Sequence, residues 1–137
     1  MTGERSELQT RCERIEEAYE FMLAYAAQGL ASDKGSGAGS ELREFLRKTD
    51  AALTGLADLF REVVRAERLS PAEKYERYIA VLERDAGSAQ AAVQLVLAQA
   101  AISSQLVDNL NASIHLRALL TDLFLIDEIL KVTTAAS

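Results

Sequence analysis

The residues best suited to acid–base chemistry are Asp108 and His115, which stand seven positions apart in the C-terminal third of the sequence. On one continuous helix they would share a face with Ser104, Asn111 and Asp122, because the successive spacings are four, three, four and seven. A carboxylate beside an imidazole raises the pKa of the imidazole and supports proton transfer. The simpler interpretation, which we prefer, is that these residues form a solvent-facing stripe of the C-terminal helices. A helix break around Asn111 would also destroy the alignment.

Aromatic side chains offer a second element of such a site. Four tyrosines fall on two segments with helical spacing: Tyr19, Tyr25, Tyr75 and Tyr78. They are more typical of a helical core with the hydroxyl groups at its edge than of a pocket. A small-ligand-binding or catalytic bundle, with a tyrosine-lined pocket and Asp108 and His115 as its acid–base pair, is therefore the alternative function.

Metal and cofactor chemistry lacks the residues that it needs. His115 is the only histidine, whereas zinc sites use three or four ligands and di-iron bundles use Glu-x-x-His pairs. The glycine-rich segment 35–39 has neither the preceding strand nor the Lys-Ser/Thr of a phosphate-binding loop. Cys12 lies on an apolar helical stripe, where a thiol packs as a small hydrophobe. We expect no metal site, no cofactor and no catalytic residue.

The elements that position these residues are all predicted to be helices. Apolar side chains recur at spacings of three and four, and strand-like alternation is missing. Ser40 is a predicted N-cap, Ser70-Pro71-Ala72-Glu73 a predicted capping box, and Gly87 and 109–113 predicted breaks. Whether 71–110 is one kinked helix or two stays open. The pattern predicts a loop at 31–39 and helices over about 3–30, 40–68, 71–85, 88–110 and 114–132.

Helix length predicts the shape of the assembly. A helix of about 26 residues is roughly 39 Å long, whereas a compact globule of this size has a radius of gyration near ~14 Å. We therefore predict an all-α, elongated antiparallel bundle of four to five helices, forming a single domain over 1–137.

Charge and composition exclude several classes of partner. The net charge is −6, and lysine and arginine are interspersed with acidic residues. Nucleic acid and anionic membrane surfaces are therefore not expected partners. The first residues are charged and lack the apolar core of a signal peptide, so we expect a cytoplasmic protein.

The most distinctive stretch is 86–107, which contains no charged side chain. It has the length of a membrane span, but its glutamines and serines argue against insertion in a bilayer, and we expect no membrane span. A helix without a charged side needs cover all round. Either it lies at the centre of the monomer, or a partner covers its remaining side. The candidate interface residues are Ala89, Val93, Val96, Leu97, Ala100, Leu120 and Phe124.

These observations favour a function without catalysis. We expect a protein-interaction, assembly-chaperone or regulatory bundle that acts through contacts of its helix faces. The expected partner is another protein, or a second copy in a homodimer, because interfaces that form permanently are depleted in charge and twofold dimers are the commonest oligomers.

Overall fold

A computed structural model describes residues 3–136, which form six helices and no strand. The prediction of an all-α fold is confirmed, but the helix count exceeds the predicted four to five. The helices are α1 (Gly3–Ala26), α2 (Gly37–Leu53), α3 (Leu56–Ala66), α4 (Ala72–Leu97), α5 (Ser104–Ala112) and α6 (Ile114–Ala136).

The predicted helix 40–68 is wrong in two respects. It is divided into α2 and α3 at Thr54 and Gly55, because Gly55 adopts a left-handed conformation with φ of 71°. Its start also lies earlier than Ser40. Ser36 is the N-cap, and its hydroxyl accepts the N–H of Gly39 at 3.0 Å. The loop after α1 is therefore shifted towards the N-terminus, since α1 itself ends at Ala26 rather than near residue 30.

The region 71–110 is arranged differently from the prediction. Gly87 does not break α4, which is continuous from Ala72 to Leu97. The predicted helix 88–110 is instead interrupted at 98–103, after which α5 begins with Ser103 as its N-cap. The capping box is also wrong, because Pro71 occupies the N-cap position and Ser70 lies outside the first turn.

The predicted break at 109–113 is confirmed. It falls at Ser113, which separates α5 from α6. The Ser113 hydroxyl accepts the N–H of Leu116 at 3.3 Å and so caps the start of α6. The side chains before and after this residue consequently do not follow one helical register.

The helices pack around a common apolar core. α1 packs against α2, α3 and α5, while α4 packs against α2, α3 and α6. Stacking of Phe21 on Phe45 and a hydrogen bond from Arg11 to the Thr54 carbonyl show that α1 and α2 run in opposite directions. The largest fully buried side chains include Tyr25 and Phe60. No helix among the described residues is long and apolar enough to cross a membrane.

Candidate interaction surface

The structure does not bring Asp108 and His115 together in one of its described cavities. Both side chains are exposed, on either side of the helix break at Ser113. Neither lines any of the three cavities described for residues 3–136. Ser104 and Asn111 are buried, so the expected shared stripe does not exist. The continuous helix that would have aligned these groups ends before His115.

Tyr25 and Tyr78 pack in or against the core, and their hydroxyl groups bind backbone carbonyls. Tyr25 is fully buried and donates its hydroxyl to the Ile102 carbonyl at 2.7 Å. Tyr78 donates to the Asp122 carbonyl at 3.0 Å on a different pair of helices. Burial raises the pKa of Tyr78 to about 12. The Tyr25 hydroxyl binds the segment between α4 and α5, and the Tyr78 hydroxyl binds α6, so the two hydroxyls do not meet in one pocket.

The chain itself covers four of the seven candidate interface residues. Ala89, Val93, Val96 and Leu120 belong to its core, where no partner can reach them in this conformation. Leu97 is half-buried and Ala100 exposed, and both lie near the guanidinium of Arg43 at the end of α4. Of the seven candidates, only Phe124 is a large exposed apolar residue, with 57% of its surface accessible. The uncharged stretch thus contributes mainly to the core.

An apolar stripe that the sequence analysis did not select runs along the outside of α6. Leu125 and Val132 are 53% and 62% exposed, and Ile114 is 75% exposed. A soluble helix normally turns charged side chains to this side. The stripe was detectable in the sequence as a spacing of three and four. It consists of Ile114, Ala118, Thr121, Leu125, Ile129 and Val132, with Arg117 and Glu128 as exposed charged neighbours.

A second stripe lies beside it on α4. The spacing of its members is four, three, four and three, which places them on one side of the helix: Val81, Asp85, Ser88, Ala92 and Leu95. Asp85 lies within hydrogen-bonding reach of Asp122 on α6, so this side borders α6. Val81 and Leu95 are exposed. We call the two stripes together the α4–α6 face.

A carboxyl pair lies at the join of this face. Asp122 is only 8% exposed, and one of its carboxylate oxygens has no hydrogen-bond partner among the described residues. Burial raises the pKa of Asp122 to about 7, and the neighbouring Asp85 adds to that shift. Asp122 is therefore a carboxyl group whose charged form is disfavoured between two packed helices.

An apolar cavity of about 210 Å³ lies on the other side of α6, between α1, α3 and α6. Leu8, Phe60 and Leu123 form its apolar wall, and Cys12 also lines it. Burial, with the negative charge of Asp127, raises the pKa of the Cys12 thiol to about 12. The thiol is consequently a packing group, and this setting does not activate it as a nucleophile.

Comparison with known proteins adds no family to this description. No family model, no curated protein and no solved structure matches the chain. Among residues 3–136, no three side chains of histidine, cysteine, aspartate or glutamate are arranged to hold a metal ion. Six of the eight large apolar side chains that are exposed among the described residues lie on the α4–α6 face.

Proposed function

We propose that this chain is a non-enzymatic interaction protein, of the assembly-chaperone or regulatory kind, which binds a protein helix on the α4–α6 face. The observation that carries the proposal is the exposure of Ile114, Leu125 and Val132 along one side of α6. Burying a Leu, Ile or Val side chain completely contributes about 1.5–3 kcal/mol. Covering these half-exposed side chains would therefore contribute roughly 1 kcal/mol each.

The shape of the face suits a helix. The stripe from Ile114 to Val132 is about 27 Å long at 1.5 Å per residue. Its alternation of three and four residues is the pattern that receives an amphipathic helix along a groove. In an elongated antiparallel bundle, α4 and α6 would present this pattern along the length of the molecule.

The cavity beside Cys12 supports a second candidate, a small apolar ligand. Its volume of about 210 Å³ is below the roughly 300–1,000 Å³ of ordinary ligand pockets. The charged residues at its edge are already paired: Arg5 with Glu67, and Lys131 with Asp127. We therefore rank this candidate below the interaction function.

A photo-reactive side chain in place of Leu125 tests the proposal in cells that express the protein. We expect a discrete cross-linked product after irradiation. The matched control places the same group at Leu23, which is also a half-exposed leucine but belongs to α1. Adding Ile129→Asp should abolish the product at position 125. Equal products at both positions, or none at position 125, would contradict the proposal.

A further inference from the structure

We propose that the partner on the α4–α6 face is a second copy of this chain, with the two α6 helices antiparallel across a twofold axis. This inference rests on the proposed function and names its partner. It follows from the order of apolar and charged side chains along the outside of α6.

One antiparallel register pairs the apolar residues of the stripe. When Ile114 lies opposite Val132 of the second copy, Thr121 lies opposite Leu125 of that copy, and each contact recurs by symmetry. Ala118 then lies opposite Glu128, where its small side chain leaves room for the longer one. All the large exposed members of the stripe except Ile129 have an apolar or methyl-bearing group facing them, and Ile129 lies at the flank beside Leu125.

The same register is favourable for charge. Arg117 and Glu128 border the stripe, and neither forms an ion pair within the described part of the chain. In the antiparallel register Arg117 lies within one position of Glu128 of the second copy, so the dimer contains two opposite-charge pairs. A parallel arrangement would set Glu128 beside Glu128 and Arg117 beside Arg117, which is repulsive. The charge pattern therefore selects the antiparallel arrangement.

The α4 stripe adds a neighbouring surface whose one charged member, Asp85, faces Asp122 of α6. With the two α6 helices in contact at the twofold axis, the α4 helices flank them and form a four-helix layer. Ser88 and Ala92 are small enough to allow close approach at the edge of that layer. Interfaces between permanently associated subunits resemble a core divided in two and are depleted in charge.

Charge reversal in the 137-residue chain tests the register. We expect wild type to sediment at twice the 14.9 kDa of one chain. Arg117→Glu and Glu128→Arg should each weaken self-association about tenfold or more, because each creates two like-charge contacts. Mixing the two variants should restore a heterodimer, because both contacts are then of opposite charge; native mass spectrometry separates the species. Arg117 lies in the first turn of α6, where glutamate is compatible with the helix dipole.

Control variants make the same changes in charge elsewhere. Arg14→Glu and Glu17→Arg alter exposed positions on α1 and should leave self-association unchanged. Circular dichroism should show that all four variants keep their helix content. Two single variants that dimerise as well alone as when mixed would overturn the antiparallel register.

The cross-linking experiment separates this inference from the proposed function. Wild type could be a monomer at 100 µM while position 125 is cross-linked to a different protein. That result would contradict the inference that the partner is a second copy, and it would leave the proposed function standing. A cross-linked product of twice the mass of the chain supports both. If no cross-linked product forms at position 125, both the second-copy inference and the proposed function are contradicted.

Discussion

Asp33 and Arg43 form a partly buried ion pair at the end of α4. The Asp33 carboxylate accepts the side chain of Arg43 and, at 2.7 Å, the N–H of Ile102. The same guanidinium donates to the carbonyls of Leu97 and Gln99, at 3.1 and 2.9 Å. The Leu97 carbonyl at the end of α4 and the Gln99 carbonyl just beyond it are thereby satisfied. The interruption at 98–103 is thus built by side chains from the loop before α2 and from α2 itself.

Asp33→Asn should lower the free energy of unfolding by about 3 kcal/mol, because it leaves a partly buried guanidinium without its counter-charge. Asp33 is only 6% exposed, so water cannot replace the carboxylate. Urea unfolding followed by circular dichroism measures the change. The control is Asp58→Asn, which removes one exposed partner of Arg61 and should cost less than about 1 kcal/mol. Equal effects of the two substitutions would show that the pair does not hold the turn.

This ion pair also shows what the sequence could and could not predict. The spacing of apolar residues along 114–132 is local, and it correctly predicted the helix that carries the stripe. The end of α4 was not predictable, because it depends on Asp33 and Arg43, more than fifty positions away in sequence. Gly55, in contrast, was a visible signal for the break between α2 and α3 that the periodicity obscured.

The candidate surface was predicted only in part, for a related reason. The absence of charge in 86–107 indicated a covered helix but not which side the chain itself would cover. Ala89 and Val93 turned out to face the core, whereas Leu95, between them and the 98–103 turn, is exposed. Periodicity locates the solvent-facing side of a helix by its charged residues. Residues 86–107 contain no charged residue, so the pattern could not show which side faces solvent.

The contribution of Asp122 to the stability of the protein should fall as the pH rises from about 4 to 7. The pKa of Asp122 is about 7 in the folded chain, above its ordinary value of 3.8, so the native state binds more protons in this window. The α4 groups that face Asp122 are Asp85 and Tyr78, and the raised pKa of about 12 keeps the Tyr78 phenol neutral throughout. Thermal unfolding should show a decrease of about 4 °C or more between pH 5 and pH 8.

Asp122→Asn provides the comparison for that pH profile. Asparagine is neutral at every pH of the window, so the variant should lose most of the decrease and be more stable than wild type at pH 8. The measurement is the difference between the two melting curves at each pH, which cancels the other titrating groups. A parallel decrease in both proteins would contradict the assignment to Asp122.

Gly39→Ala should destabilise the protein by about 3 kcal/mol or more. A Cβ atom at position 39 would lie 1.7 Å from the carbonyl oxygen of Asp33, which is backbone and cannot move aside cheaply. The matched control is Gly37→Ala in the same turn of α2, where a Cβ atom meets open space. That substitution should be neutral or stabilising by up to about 1 kcal/mol, because alanine is the better helix former. Chemical denaturation of the two variants side by side measures the contrast, and a tolerated Gly39→Ala would refute the close contact.

Cys12 should be nearly inert in the folded protein. With a thiol pKa of about 12, the thiolate fraction at pH 8 is about 1,000-fold below that of an ordinary exposed cysteine. Alkylation by iodoacetamide, followed by mass spectrometry, should be slower in the native chain than in urea by roughly two to three orders of magnitude. Rapid native alkylation would show that the cavity beside Cys12 activates the thiol.

Sedimentation of Leu125→Asp beside Leu23→Asp tests the central claim, that a second copy of the chain binds on the α4–α6 face, most directly. Both leucines are half-exposed, at 53% and 47%, so neither substitution should unfold the chain. We predict that wild type and Leu23→Asp sediment as the same complex, heavier than one 14.9 kDa chain, while Leu125→Asp sediments as the monomer. Association of Leu125→Asp equal to that of wild type would contradict the account.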